Sequence, residues 1–188
     1  MKKLLLITLV LALLAPAMAK NMAEGKFSAG VGFGNGVSML CPGNAWAAGI
    51  NLQYTLPGIA FQGYFDYHLA LQPEADDLGD ATESIMDFGL DILGVVGDGP
   101  FVGYTGVGFF YMMSSLDMGI EGVDAVDMST LGLNWSAGVD YFLTDMIALG
   151  FEVNAPISLS SDDGGEDDYN GAANAAGLFY KSTVKFFF

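Results

Sequence analysis

The sequence predicts an all-β fold: an eight-stranded antiparallel up-and-down transmembrane β-barrel, preceded by a cleaved signal peptide. Three observations lead to this prediction. Apolar residues alternate with small or polar residues along eight segments. These segments are long for ordinary strands, and the connections between them alternate between tight turns and longer loops. An alternation with a period of two is typical of a strand with two unlike faces.

The composition excludes several classes of function. The 188 residues include 22 acids and six lysines but no arginine, which gives a formal net charge of −16. A nucleic-acid binder needs a basic face to neutralise phosphates, so this class is excluded. The single cysteine excludes an intramolecular disulfide, and the single histidine excludes a metal site built from several histidines. We expect no cofactor.

Residues 1–19 have the pattern of a secretory signal peptide. Lys2 and Lys3 precede an apolar run over residues 4–14, and Ala17-Met18-Ala19 provides a small-residue cleavage site. The apolar run is too short to cross a bilayer as a helix. We therefore expect residues 20–188 to form one barrel domain.

The alternation is clearest in the segment 146–159. One face carries Ile147, Leu149, Phe151, Val153, Ala155, Ile157 and Leu159, and the other carries Ala148, Gly150, Glu152, Asn154, Pro156 and Ser158. The predicted strands are 27–39, 46–56, 59–71, 85–96, 101–113, 131–143, 146–159 and 177–188. The segment 101–113 is apolar on both faces, so the pattern does not say which of its faces points inward.

The nature of the polar face favours a membrane barrel over a soluble one. This face is rich in glycine, alanine, serine and asparagine and carries few charges, whereas a water-exposed face normally holds more lysine and glutamate. A strand of about 13 residues is roughly 43 Å long, and a tilt near 45° lets it span about 30 Å of hydrocarbon. We therefore expect the large apolar residues to face lipid and the small or polar residues to face the lumen.

The connections predict the orientation of the barrel. Tight turns fall at residues 57–58, 97–100 and 143–146, and longer connections fall at 40–44, 72–84, 116–128 and 160–172. Short periplasmic turns and long outer loops are the pattern of outer-membrane barrels, so both mature termini are expected in the periplasm. Aromatic girdles are expected from Trp46, Tyr67 and Phe110 at the outer rim and from Tyr54, Tyr141 and Phe188 at the inner rim.

At this point the chain resembles the small eight-stranded outer-membrane barrels of Gram-negative bacteria, of the OmpA transmembrane-domain and OmpX type. The last strand ends at Phe188, with Phe186, Val184 and Tyr180 on the same face, which looks like the C-terminal aromatic signal of such proteins. Ser182 interrupts that signal. The resemblance implies periplasmic chaperones and the barrel-assembly machinery as partners during biogenesis. It also implies a monomer surrounded by outer-membrane lipid and lipopolysaccharide.

Strand pairing predicts ion pairs inside the lumen. Asp140 is expected near Leu149, Lys185 near Ile147, and Lys181 near Glu152. We therefore expect two stacked pairs, Lys181 with Glu152 and Lys185 with Asp140. These pairs could simply satisfy one another in a closed lumen, or they could act as a gate that opens a narrow pore when partners are exchanged.

A second lumen cluster is acidic and comprises Asp66, His68, Asp87 and Asp91. Pairing of the third and fourth predicted strands is expected to set Asp66 near Gly89, diagonal to Asp87 and Asp91. Neighbouring carboxylates repel, so they need a proton, a cation or a lysine that reaches across. A shared proton or lysine and a cation site both remain open. A hydrolase with His68 as its base is disfavoured because no serine lies nearby on the same face.

The long loops hold 14 of the 22 acids. Residues 160–168 contain the weak metal candidates Asp162, Asp163, Glu166, Asp167 and Asp168, but their spacing departs from an EF-hand loop. Such loops could be a solvated anionic surface, or could hold Ca²⁺ or Mg²⁺ that bridges to lipopolysaccharide phosphates.

These observations predict a non-enzymatic outer-membrane protein with a structural or surface-interaction role. A narrow pore for small ions or apolar solutes is the alternative, and a lipid-modifying enzyme is a more distant one.

Overall fold

The computed structural model describes residues 22–37, 45–71, 82–117, 122, 124–162 and 178–188. Eight strands follow one another in these ranges. They are β1 (Phe27–Val37), β2 (Ala45–Leu56), β3 (Ile59–Leu71), β4 (Thr82–Asp98), β5 (Phe101–Asp117), β6 (Val126–Thr144), β7 (Ile147–Asp162) and β8 (Leu178–Phe187).

The strands form one closed barrel. Each strand pairs antiparallel with the next, and β1 pairs with β8 from Ser28↔Phe187 to Val37↔Leu178. Closure gives β1 and β8 a partner on both sides, which a sheet in lipid requires because lipid cannot hydrogen-bond an open edge. The predicted all-β, eight-stranded antiparallel barrel is thus confirmed.

None of the described residues belongs to a helix that is long and apolar enough to cross a membrane.

Tight turns join the strands at one end of the barrel, which we call the turn end; the opposite end is the loop end. Gly58 and Gly99 have φ angles of 74° and 69°, a left-handed conformation that favours glycine. At the third turn, the Thr144 hydroxyl accepts hydrogen bonds from the backbone N–H groups of Met146 and Ile147. These are the three tight turns that the sequence predicts.

The alternation has the sense expected of a membrane barrel. Along β7, Leu149 and Phe151 are each 46% exposed on the outside, whereas Glu152 is fully buried inside. Along β3, Phe61 is 48% exposed, whereas Asp66 is 6% exposed and points inward. The apolar side chains therefore form the outer surface and the polar side chains fill the lumen.

The strands on one side of the barrel are longer than predicted. β4 to β7 contain 17, 17, 19 and 16 residues and continue toward the loop end into segments that we assigned to loops. The β6–β7 pairing shifts register twice, between Leu131 and Gly132 and between Phe142 and Thr144. Both shifts are β-bulges, which add a residue to one strand and bend it. A bulge leaves no trace in a simple count of alternating residues.

An apolar layer closes the lumen at the turn end. It consists of Ala23, Ala60, Leu93, Val95, Val102, Tyr104, Phe142, Ala148 and Phe187. The turn at residues 22–25, just before β1, packs beneath it, and the backbone N–H of Gly25 donates to the Thr55 carbonyl at 2.8 Å. The Lys26 ammonium donates to the Asp145 carbonyl at 2.6 Å and holds this turn against the barrel. The charged part of the lumen begins above this layer.

Candidate functional site

The charged section of the lumen is the candidate functional site. Five of its described side chains are carboxylates, on Asp66, Asp87, Asp91, Asp140 and Glu152, and two are lysines, on Lys181 and Lys185. If every group is ionised, the carboxylates exceed the lysines by three charges. Both lysines come from β8, whereas the carboxylates come from β3, β4, β6 and β7.

Lys185 lies just above the apolar layer and is fully buried. Its ammonium is 2.9 Å from the Asp140 carboxylate and donates to the Gln53 side-chain carbonyl at 3.2 Å. It also donates to the Tyr104 hydroxyl at 3.4 Å and lies 4.5 Å from the centre of that ring. One cation therefore faces one carboxylate, with neutral groups filling the rest of its shell.

Lys181 is shared between two carboxylates. Its ammonium is 2.7 Å from Asp66 Oδ2 and 3.2 Å from Glu152 Oε1, and 5.0 Å from the centre of the Tyr64 ring. The side chain is 7% exposed. The structure thus places Lys181 beside Glu152 and Lys185 beside Asp140, as the sequence predicts. The contact between Lys181 and Asp66 is an instance of a lysine reaching across to the acidic cluster, one of the alternatives that the sequence left open, although the sequence did not identify which lysine.

Glu152 is the centre of the hydrogen-bond network. Its Oε2 accepts hydrogen bonds from the Tyr104 hydroxyl at 3.1 Å and from the Gln62 amide at 3.2 Å. Its Oε1 accepts one from the Asn154 amide at 3.0 Å. The Tyr104 ring reaches the axis because Gly138 stands against it, where an added Cβ would collide with the ring. A fully buried carboxylate surrounded by donors in this way is held in its charged form.

Asp91 is a second centre of this network and is joined to Glu152 through Asn154. Its Oδ2 accepts hydrogen bonds from the Ser136 hydroxyl at 2.6 Å and from the Asn134 amide at 3.4 Å. Asn154 Oδ1 lies 2.7 Å from the same hydroxyl oxygen and accepts a hydrogen bond from the same amide at 3.3 Å, so Asp91 and Asn154 share the single Ser136 proton. The predicted four-residue acidic cluster is therefore divided, since Asp91 is held by serine and asparagine.

The other three members of that cluster lie together. One possible ligand atom from each of Asp66, His68 and Asp87 falls within 4.8 Å of the others. His68 is 4% exposed, and its ring packs edge-on against Phe179 with the ring centres 4.8 Å apart. His68 Nδ1 and Asp87 Oδ1 are both buried and have no hydrogen-bond partner.

The structure corrects two predicted strand registers. Asp66 is directly opposite Asp87 rather than Gly89. Asp140 is opposite Gly150 rather than Leu149. Lys185 is opposite Ala148, one residue from Ile147 and within the couple of residues that the prediction allowed. The Asp140 error arises because the turn closes at Thr144 and Ile147 instead of at Leu143 and Met146, a register that by itself would set Asp140 opposite Phe151. The bulge after Phe142 then moves the partner of Asp140 back by one residue, to Gly150. The Asp66 error arises because β4 begins before Ile85, which shortens the connection between β3 and β4.

Several lumen groups were missed by the sequence analysis. Tyr104 and Phe110 point inward from β5, 4% and 1% exposed, so Phe110 is not part of an outer girdle. Tyr67, Tyr54, Tyr141 and Phe188 lie on the outside, between 40% and 68% exposed, as expected of girdle residues. The inward face of β5 could have been deduced from its tight turn, because the pairing across this turn sets Gly108 opposite Asp91.

The proposed loop ligands lie mostly outside the described residues. The backbone of Asp162 ends β7, and Asp163, Glu166, Asp167 and Asp168 are beyond the ranges that the structure describes.

An apolar exterior around an ion-paired interior defines this protein as an integral membrane β-barrel. The chain belongs to the outer membrane protein beta-barrel domain family, whose model matches residues 5–181. It is therefore a protein of the bacterial outer membrane. No curated protein matches the chain at the sequence level.

Solved structures from Gram-negative bacteria share this fold. Neisserial surface protein A is 17% identical, with a TM-score of 0.58 over 87% of this chain and 96% of that one. Ail of Yersinia pestis, in complex with the heparin analogue sucrose octasulfate, is 11% identical, with a TM-score of 0.57 over 87% and 98%. OprG of Pseudomonas aeruginosa is 15% identical, with a TM-score of 0.55 over 88% and 96%. At these identities the likeness shows the fold alone.

Proposed function

We propose that this protein is a monomeric, non-enzymatic scaffold of the outer membrane that acts through its outer surface and does not conduct solutes. The loop end faces the outside of the cell and both mature termini lie in the periplasm. Lipopolysaccharide and outer-membrane lipid surround the barrel, and periplasmic chaperones and the barrel-assembly machinery deliver it.

One observation carries the proposal: two successive layers fill the lumen. The apolar layer closes the turn end, and above it Lys185, Asp140, Tyr104, Gln62 and Glu152 form a continuous set of hydrogen bonds and ion pairs. An eight-stranded barrel has an interior only wide enough for side chains, so these groups occupy the path of a solute. The orientation rests on the short turns at one end.

The charge of the loops indicates the kind of surface contact. The long connections and the strand ends beside them carry 14 carboxylates, and no basic residue occurs between Lys26 and Lys181. Ail was crystallised with a sulfated sugar, but an anionic surface repels such a ligand. This chain instead suits cationic partners, or phosphates of lipopolysaccharide that are bridged by Ca²⁺ or Mg²⁺.

Single-channel recording in planar bilayers tests the proposal. The folded protein is expected to give no stable conductance. A narrow pore is the second candidate because Lys181 already touches two carboxylates and could exchange them. A steady channel in the wild type that disappears in Lys181→Ala or Glu152→Ala, with both variants still folded, would establish the pore and overturn the closed scaffold.

Labelling of intact cells tests the orientation. A peptide tag inserted after Asp163 should bind an antibody from outside, whereas the same tag after Gly58 should not. The reverse result contradicts the assignment.

A lipid-modifying enzyme has little support. On the strands beside β3, His68 is opposite Ala47 and Ile85, and neither side chain can act as a nucleophile. We expect His68→Ala to leave the phospholipids of the host membrane unchanged, as measured by mass spectrometry.

A further inference from the structure

We infer that Asp66, His68 and Asp87 form an internal binding site for one divalent transition-metal ion of the Zn²⁺ type. The inference does not depend on whether the barrel conducts, because it concerns only groups held on β3 and β4.

The geometry of the three side chains is the first argument. Asp66 and Asp87 are direct partners across the β3–β4 pair, and His68 lies two residues beyond Asp66 on the same face. One possible ligand atom from each lies within 4.8 Å of the others. Two ligand atoms of a tetrahedral Zn²⁺ are about 3.4 Å apart, since each bond is about 2.0–2.2 Å. A small rotation of the side chains therefore brings all three into contact with one ion.

Unused ligand atoms are the second argument. His68 is only 4% exposed, yet its Nδ1 has no hydrogen-bond partner. The buried Asp87 Oδ1 has no partner either. Six other buried atoms of the described residues also lack a partner, Asp91 Oδ1 and Asp140 Oδ1 among them. A buried polar atom without a partner costs free energy, and at His68 and Asp87 such atoms also belong to side chains whose possible ligand atoms lie together. An imidazole with two carboxylates suits Zn²⁺ and its neighbours better than Ca²⁺ or Mg²⁺, which prefer oxygen ligands alone.

The lumen charge is the third argument. The described carboxylates exceed the lysines by three if all are ionised, and the excess lies on the side of Asp66, Asp87 and Asp91. One divalent cation removes two of these charges. Lys181 binds Asp66 through Oδ2, so a metal ion at this site would share the Asp66 carboxylate with the lysine. In this arrangement Lys181 is a positioning residue that orients the Asp66 carboxylate.

Gly49 makes room for this arrangement. Asp66 Oδ1 lies so close to the Gly49 backbone that an added Cβ would overlap it. Any larger residue at position 49 would displace the Asp66 carboxylate from its present position.

Isothermal titration with Zn²⁺ tests the site, using the full-length folded protein in detergent micelles after treatment with a chelator. Ca²⁺ in millimolar excess occupies the acidic loops. We expect one Zn²⁺ per barrel in the wild type and at least tenfold weaker binding in Asp87→Asn and His68→Gln. Asp91→Asn is the matched control, because Asp91 is a buried carboxylate and lies on β4, like Asp87. Its Oδ2 already accepts hydrogen bonds from Ser136 and Asn134. It should bind within about threefold of the wild type.

Electron paramagnetic resonance with Cu²⁺ gives an independent readout that does not depend on affinity. The chain has a single histidine, so imidazole nitrogen coupling in an untagged protein can come only from His68. This coupling should appear in the wild type and in Asp91→Asn and disappear in His68→Gln. Heat-shifted migration in SDS gels shows which variants are folded.

Three results would overturn the inference. Equal Zn²⁺ binding in the wild type, Asp87→Asn and His68→Gln would place the ion elsewhere. An equal loss in Asp91→Asn would show a general effect of lumen charge. Absence of binding in the presence of Ca²⁺ would show that protons alone neutralise the cluster.

Discussion

The two lysines of the lumen lie four residues apart on one strand, yet their surroundings differ in charge balance. Lys185 is fully buried and faces one carboxylate, Asp140, with Gln53 and Tyr104 completing its shell. Asp140 Oδ1 has no hydrogen-bond partner, but the charges of this pair are matched. Lys181 is shared by Asp66 and Glu152, and the unpartnered atoms of His68 and Asp87 lie beside Asp66.

This difference separates a structural part of the lumen from a part with unused capacity. A matched, fully buried pair has little to gain from a ligand, and loss of either partner leaves an uncompensated charge. A region with more carboxylates than cations is stabilised by anything that supplies positive charge. The variants below test this distinction, in order of decreasing expected effect.

Removal of Asp140 should have the largest effect. Asp140→Asn leaves the Lys185 ammonium buried without a carboxylate, and we expect a loss of about 3–5 kcal/mol in the free energy of unfolding. Urea titration of the barrel in lipid vesicles, followed by tryptophan fluorescence, measures this loss. In the double variant Asp140→Asn/Lys185→Met, the loss in the free energy of unfolding should differ strongly from the sum of the losses in the two single variants. Additive losses would show that the pair is not coupled.

A charge on the outer surface should have the next largest effect. Val153 lies at the middle of the outward row of β7, and Val153→Arg should cost about 2–4 kcal/mol near the bilayer midplane. The same titration in vesicles measures it, with Val153→Leu as the control that should stay close to the wild type. Equal stability of the arginine variant would contradict the assignment of this face to lipid.

Replacement of Asp66 should cost less than replacement of Asp140. Lys181 keeps its contact with Glu152 at 3.2 Å, and an asparagine still offers an oxygen to the lysine. We expect Asp66→Asn to lose about 1–2 kcal/mol, since one charged hydrogen bond becomes a neutral one. A loss as large as that of Asp140→Asn would mean that the two lysine sites do not differ.

Neutralisation of Asp87 should have the smallest effect. In the presence of a chelator, Asp87→Asn removes one surplus negative charge and no hydrogen bond to Asp87 Oδ1, because that atom has no partner. We expect the free energy of unfolding to change by less than about 1 kcal/mol. An increase is consistent with relief of the repulsion between Asp87 and the neighbouring carboxylates. A loss of several kcal/mol in vesicles would show that Asp87 is already neutralised by a partner.

The fold was predictable because a lipid-facing surface imposes a strict pattern. Every second residue of β7 faces lipid, so the alternation of Leu149, Phe151 and Val153 reports the architecture directly. The pairing of Lys181 with Glu152 was also within reach, because they are direct neighbours across β7 and β8.

The rest of the site was harder to predict because it depends on contacts across the lumen. Lys181 comes from β8 and Asp66 from β3, and no strand pairing brings them together. The turn between β6 and β7 closes at Thr144 and Ile147 rather than at Leu143 and Met146, so Asp140 faces Gly150 even after the bulge at Phe142. β5 was ambiguous because Phe109 faces lipid and Phe110 fills the lumen, so hydrophobicity alone does not distinguish its faces.

The position of both lumen lysines on β8 has a consequence for how the barrel forms. β8 is the last strand to be synthesised, and it supplies every described ammonium group that the interior carboxylates contact. Before β8 docks, those acids must remain hydrated or protonated, so an incomplete sheet cannot dry its interior at low cost. Neutralisation of the interior carboxylates and closure of the seam between β1 and β8 therefore occur in the same step. A chain that lacks β8 is destabilised by uncompensated charge in its interior as well as by its open sheet edge.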